Sequence, residues 1–229
     1  MIVGRIPLIG GSAGDDLRFG ETLVYHQGRF HANSAVMVLA TTPLPFLTFK
    51  TQHFIPGEER LVVTEANPAE RVVYEIDGYP ATEEYARLVN VPADDLAPDR
   101  FAASPVVVLI DGTDYVRSIQ KANPDGSLTF YCAIEEGLVL RVARGVDLIE
   151  NLRHRLLSVS EKLGTPQLVL ACDCVLRGLE IRQRGLEQEV GQLLNDYRVV
   201  GFNTYGEQFG GVHVNQTLVG IAFGQVQEQ

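Results

Sequence analysis

The chain has 229 residues, 45% of them hydrophobic and 21% charged, enough to bury one sizeable core or two smaller ones. Its formal net charge is −10 and it holds no basic run, so nucleic acid and anionic membrane surfaces are poor partners. No apolar run approaches the roughly 20 residues of a membrane helix, and the start, with Arg5 and then Gly10-Gly11, lacks a signal-peptide layout.

In chain order, residues 5–9 are expected to form a short strand that ends in the glycine bend Gly10-Gly11-Ser12-Ala13-Gly14-Asp15. A hairpin over 22–31 follows, with Gln27-Gly28 at its tip, then a strand over 35–41, and Pro43-Leu44-Pro45 marks a domain junction. Residues 46–54, 60–65 and 71–76 read as strands, the last two joined at Asn67-Pro68. Pro80 suits a first helical position, and Ala81, Tyr85, Leu88 and Val89 form one apolar helical face. After a polar connection over 92–104, an antiparallel meander is predicted. Its strands 106–110 and 115–119 flank Asp111-Gly112, a strong hairpin signal. Strand 127–134 follows the turn Asn123-Pro124-Asp125-Gly126, and 138–142 follows Gly137.

The last third alternates helix and strand. Asp147 stands three residues before Glu150, a capping-box-like start. Leu148, Leu152, Leu156 and Leu163 keep a helical stripe until Gly164-Thr165-Pro166. A strand over 167–172 leads into one long helix over 176–197. Its stripe is Leu179, Leu186, Val190, Leu193 and Tyr197, interrupted at Arg182 and Gln183. A strand over 198–202 completes a strand–helix–strand unit, which favours a parallel pair and a right-handed crossover. The fold class expected is therefore α/β with mixed sheets.

One pattern occurs twice. Leu8-Ile9-Gly10-Gly11-Ser12-Ala13-Gly14-Asp15 and Val200-Gly201-Phe202-Asn203-Thr204-Tyr205-Gly206-Glu207 each run from an apolar stretch through glycines to Gly-acid. Each is followed by an asparagine and an apolar segment, Asn33 to Ala40 and Asn215 to Val219, as in a duplicated domain. The closing motif, Gly201 to Glu207 with Asn215-Gln216-Thr217-Leu218, resembles that of FIST proteins, a family of intracellular sensory domains. Cys172-Asp173-Cys174-Val175-Leu176-Arg177 resembles the family's cysteine-arginine motif. Asp77-Gly78-Tyr79-Pro80-Ala81 with Tyr85-Ala86 resembles the opening of its C-terminal domain. The resemblance implies that 1–43 is the tail of the N-terminal domain, 44–72 connecting strands and 73–229 the C-terminal domain. Most of the N-terminal domain would then lie upstream of Met1, and the chain is read as a fragment or a short family member.

Ligands of open α/β sheets bind beyond the carboxyl ends of strands. Cys172-Asp173-Cys174 and Asn203-Thr204-Tyr205 both sit at such ends and flank one helix. The candidate ligand-binding residues are Arg177, Tyr205, Glu207, Asn215, Thr217, Cys174 and Asn203. Arg177 could grip a carboxylate with two prongs, and Glu207 could take an ammonium, as for an amino acid. Alternatively, Arg177 and Glu207 form a structural ion pair, Asn215 and Thr217 lock a loop, and Tyr205 is a pocket wall or core aromatic.

The three cysteines, Cys132, Cys172 and Cys174, lack framework or zinc spacing and read as buried thiols of a reducing compartment. No certain cofactor is indicated. His213 is a weak candidate for a haem ligand, since some FIST-like proteins are described as haem-bound nitric-oxide sensors. His26, His31, His53 and His154 carry no supporting context.

A thiol hydrolase using Cys174 or Cys172 with His213 and Glu207 is the enzyme alternative. The glycine bends match neither a dinucleotide nor a P-loop pattern. The expectation is a cytoplasmic, non-enzymatic domain binding a small molecule. Its output would lie in a separate histidine kinase, cyclase or chemoreceptor, and a purely structural module is the remaining alternative.

Overall fold

A computed structural model of the protein describes residues 6–18, 20–110 and 112–225. The chain forms two compact units, one built from Met1–Gln52 and Ile149–Gln229, the other from His53–Leu148. Among the described residues no helix is long and apolar enough to cross a membrane.

The first unit opens with β1 (Ile9–Gly11), the hairpin β2 (Val24–His26) and β3 (Arg29–His31), and β4 (Phe46–Thr51). The predicted strand over 35–41 does not form. Val36, Met37, Val38 and Leu39 are exposed, and no neighbouring strand supplies a ladder. β-rich composition gives a strand only where backbone partners exist. Of the predicted strand over 5–9, Arg5 lies outside the described residues, and the ladder instead runs through the glycines themselves.

The second unit contains β5 (Phe54–Pro56), β6 (Leu61–Asn67), β7 (Val72–Ile76), β8 (Tyr79–Pro80) and helix α1 (Ala81–Val89). Helix α2 (Pro98–Ala103) leads to β9 (Val106–Ile110), β10 (Thr113–Arg117), β11 (Ile119–Ala122), β12 (Leu128–Phe130) and β13 (Val139–Gly145). Asp111 of the hairpin turn lies outside the described residues.

The sheet order is β10-β9-β13-β6-β7-β12-β11, with β5 on β13 and β8 on β7. Its two ends, β10 and β11, are separated in the chain by Ser118 alone, so the sheet curls into a nearly closed barrel. The antiparallel strands expected here form, β9 with β10 and β11 with β12, while β13 pairs with β9 and β6 rather than with β12. Leu61, Val63, Val73, Ile76, Tyr85, Phe101, Leu128, Phe130 and Leu140 pack inside as one apolar cluster.

The chain then returns to the first unit through α3 (Leu148–Leu163), β14 (Leu168–Cys174), α4 (Val175–Gln183), α5 (Glu187–Asp196) and β15 (Val199–Thr204). The single long helix predicted over 176–197 is two helices. The break falls at Arg184-Gly185-Leu186, where Gly185 takes φ +66°, just beyond the interruption of the apolar stripe at Arg182 and Gln183. After β16 (Glu207–Phe209) and β17 (Val212–Val214), β18 (Leu218–Phe223) closes the unit.

Its main sheet is ordered β15-β14-β18-β4. β14 lies parallel to β15 and antiparallel to β18, which makes the sheet mixed and the β14–α4–α5–β15 segment a βαβ unit. Along β14, Val169 and Ala171 are buried while Leu168 and Leu170 are exposed, the period of two expected of a strand with one covered face. A small second sheet, β1-β16-β17, joins the two glycine bends directly, pairing Gly10 with Gln208 and Gly11 with Glu207. The molecule is a mixed α/β protein.

Candidate functional site

The carboxyl end of β14 passes without a loop into α4, so Asp173 and Arg177 meet across the junction at i, i+4. Arg177 Nε donates to Asp173 Oδ1 at 2.9 Å. The Asp173 carbonyl accepts from Asn203 Nδ2 and from Thr204 Oγ1, each at 3.3 Å, which ties the end of β15 to β14. Arg177 is fully buried, and its Nη1 and Nη2 have no hydrogen-bond partner. An arginine carries five donors in a fixed fork, and leaving buried donors unmet costs on the order of 1–3 kcal/mol each, more for charged groups. The two open nitrogens have the geometry that carboxylates occupy in two-pronged pairs.

Glu207, at the start of β16, is also fully buried. Thr204 Oγ1 and Thr217 Oγ1 lie 2.6 Å from its two oxygens. Burial pushes its carboxyl up from 4.5 to about 8. The bonds from Thr204 and Thr217 oppose that rise, and the nearby charge of Asp173 adds to it.

The hydrogen-bond pattern suits the same proton without requiring it. Thr204 Oγ1 has one hydrogen but faces two acceptors, the Asp173 carbonyl and Glu207 Oε1. A proton on Oε1 resolves the conflict, since Glu207 then donates to Thr204, which donates onward to Asp173.

Glu207 is positioned by close backbone approach. A Cβ on Gly11 would lie 2.2 Å from Thr204 Cγ2, and one on Gly206 would lie 2.3 Å from His213 Nε2. Gly206 also takes φ +121°, which a side chain resists. Asn215 and Gln216 are 1% and 2% exposed, and Asn215 Oδ1 and Gln216 Oε1 lack partners.

The residues after the first glycine bend form a strap over Tyr205. Its hydroxyl donates to Asp15 Oδ1 at 2.6 Å and accepts from the Leu17 N–H. Backbone bonds join Ser12 N to Gly206 O at 2.8 Å and Tyr205 N to Ser12 O at 3.0 Å. Asp16 and Leu17 both sit at positive φ, 61° and 62°, an uncommon setting for leucine.

The profile of the FIST C domain matches residues 81–210, more than half of the chain, and that of the FIST N domain matches residues 1–79. The chain belongs to the FIST family. FIST domains are associated with sensory signal transduction. No curated protein and no solved structure was found to match this chain. In this FIST protein the site draws on both matched regions, with Gly11 to Leu17 from the first and Asp173 to Glu207 from the second. Asn215, Gln216 and Thr217 lie beyond the second match.

Of the residues read from the sequence, the structure connects Arg177, Cys174, Glu207 and Thr217 through Asp173, Thr204 and the Cys174 N–H bond to Thr217 O at 3.0 Å. Asn215 joins them through Gly206, where a Cβ would meet its Nδ2 at 2.9 Å. Asn203 is exposed at the rim and holds the Asp173 carbonyl, and Tyr205 anchors the strap.

The partner of Arg177 is Asp173, not Glu207. Asp173 was legible as the i−4 acid of Arg177. Thr204 and Gln216 gave no separate sequence signal. Asn33, the first motif asparagine, and Gln216, next to the second, take φ 47° and 51°, but Asn33 is exposed while Asn215 is buried, so the duplicated pattern does not repeat its environment.

The candidate haem residue, His213, stands half-buried on β17 with its ring against Gly206. Among the described residues no group of three or more His, Cys, Asp or Glu is arranged to hold a metal ion. The Cys174 thiol is 1% exposed, and burial and the charge of Glu207 push it well above the ordinary thiol range. Cys172 shifts the same way for the same reasons.

Proposed function

We propose that this FIST chain is a cytoplasmic sensory domain that binds a small polar molecule through a carboxylate held by Arg177. The observation that carries the reading is the fully buried guanidinium with Nη1 and Nη2 unpartnered. Such a group is expensive to keep unless something completes it. The orphan oxygens of Asn215 and Gln216 suit the donor groups of the same guest, such as the ammonium of an amino acid.

In this proposal a guest reaches the buried fork by displacing the strap of residues 12–18. It carries the positive-φ residues Asp16 and Leu17 and is held on Tyr205 by two hydrogen bonds, through Asp15 Oδ1 and the Leu17 N–H. A guest that binds one strap position better than the other shifts the population between them, and a separate output protein reads that shift. The raised thiols of Cys172 and Cys174 favour recognition over nucleophilic turnover.

A thermal-shift panel of amino acids and small carboxylates tests the reading. At least one compound should raise Tm in proportion to the logarithm of its concentration. Arg177→Gln should abolish the shift, and Asn215→Ala, which keeps the fork, should weaken it. A panel in which nothing stabilises the protein, or in which Arg177→Gln responds like the parent, overturns the assignment.

A further inference from the structure

We propose a second small-ligand site on the first unit, for a phosphate-type oxyanion, between the end of β4 and one face of α3. A cavity of about 300 Å³ is lined by Thr51, Gln52, Asn151, His154, Arg155 and Ser158. That volume lies at the lower end of the range for small-molecule sites. Every lining side chain is polar, and none is acidic. In a chain of net charge −10, an acid-free polar cavity with a guanidinium is a departure from the rest of the surface.

Helical spacing builds one wall. Asn151, His154, Arg155 and Ser158 fall at i, i+3, i+4 and i+7 of α3 and so share a face. The hydrogen bonds already made turn this wall into a donor surface. Thr51 Oγ1, from a 2% exposed residue, donates to Asn151 Oδ1 at 2.5 Å, which engages the amide's oxygen and leaves its two N–H groups. Gln52 Oε1 is buried without a partner, and the amide nitrogen is the donor this side chain has to offer.

Arg155 has no ion-pair partner among the described residues. The acid nearest along the helix, Glu150, is paired with Arg153 at 3.4 Å. Two amides, a hydroxyl, an imidazole and a guanidinium around one void offer many donors and few acceptors. That balance matches a phosphate, which presents several acceptor oxygens and two negative charges or nearly so.

The test is a titration of the whole chain with inorganic phosphate and, separately, with O-phosphoserine at fixed ionic strength. Affinity is followed by ³¹P line broadening, and the location by backbone amide shifts. Saturable binding is expected to move the amides of Thr51, Asn151, His154 and Ser158. Arg155→Gln should weaken it at least tenfold and Ser158→Ala several-fold; both residues face solvent or the cavity, so both variants should fold.

Tighter binding of phosphoserine would identify a monoester as the source, and equal or tighter binding of phosphate would identify the free ion. Absence of saturation, or binding unchanged in Arg155→Gln, overturns the proposal. Shifts confined to Asp173, Arg177 and Glu207 would also overturn it, by placing the anion in the first site. A null result here leaves the Arg177 reading untouched, because that reading rests on different residues and a different probe.

Discussion

Arg177 and Asp173 form an ion pair at 2.9 Å in which the cation is fully buried and the anion's side chain keeps 18% of its exposure. The two partners therefore differ in what their loss leaves behind. Asp173→Asn strands a buried guanidinium, for which the cost of breaking a buried pair is about 3–5 kcal/mol. Arg177→Met removes the buried charge and leaves a carboxylate that water can reach, so the expected loss is less than half as large. Urea denaturation of both variants measures the order. An Arg177→Met protein less stable than Asp173→Asn contradicts this account of the pair.

The raised carboxyl of Glu207 makes stability depend on pH in a defined direction. Its folded value, about 8, lies above the ordinary 4.5 of the unfolded chain. Between those values the folded state binds more protons than the unfolded one. The contribution of this group is thus fully present below about pH 4.5 and lost as pH rises through about 8. The total involved is on the order of a few kcal/mol. Glu207→Gln keeps a neutral amide between Thr204 and Thr217 and should flatten the slope between pH 5 and 8.5. Chemical denaturation across that range compares the two proteins, and identical slopes would remove the buried proton from the argument.

Gly206 and Gly28 separate two costs of a side chain at positive φ. At Gly28, φ is +80° and nothing lies within 4 Å of a built Cβ, so Gly28→Ala meets backbone strain alone. That is about 1–2 kcal/mol. At Gly206, φ is +121° and the same atom collides with the His213 ring and the Asn215 amide. Gly206→Ala should cost about 1–3 kcal/mol more, since repacking a tight site adds to strain. Equal Tm losses in the two variants would show that the His213 and Asn215 side chains swing away freely.

Local chemistry was legible in the sequence, and distant partnership was not. Gln27-Gly28 announced the hairpin of β2 and β3, and the apolar run before Cys172 announced β14 beside a parallel β15. The apolar residues 35–39 carry the same composition without a ladder, because strand formation depends on a neighbour that no local pattern specifies. The placement of β13 between β9 and β6 is likewise a long-range choice.

Helix length misled for a different reason. The stripe resumed after Arg182 and Gln183, and a single left-handed glycine, Gly185, was enough to end one helix and start another. In the site, Arg177 and Glu207 were legible as charges near strand ends, whereas Thr204 was invisible as the hydroxyl that links Glu207 to the end of β14. Its role comes from facing Glu207 and the Asp173 carbonyl at once, a relation between β15, β16 and β14.

Tyr205 holds the strap through two bonds of one hydroxyl, so its removal should loosen residues 14–18 without unfolding the sheet. Tyr205→Phe deletes the donor to Asp15 and the acceptor for Leu17, while the ring stays against Gly14, where a Cβ would lie 2.8 Å from it. Losing such bonds at a partly exposed position costs about 1 kcal/mol. Strain at Asp16 and Leu17, on the order of 1–3 kcal/mol each, then has less to oppose it, with the Asp15 bond to Gly20 N and the backbone pairing at Ser12 still in place. Amide exchange of residues 14–18 should accelerate at least fivefold, with exchange in β14 and β18 unchanged. If Arg177 is reached by strap opening, the on-rate of any stabilising carboxylate should rise in the same variant. Unchanged exchange at Leu17 would mean that the hydroxyl is incidental and that entry to the buried fork lies elsewhere.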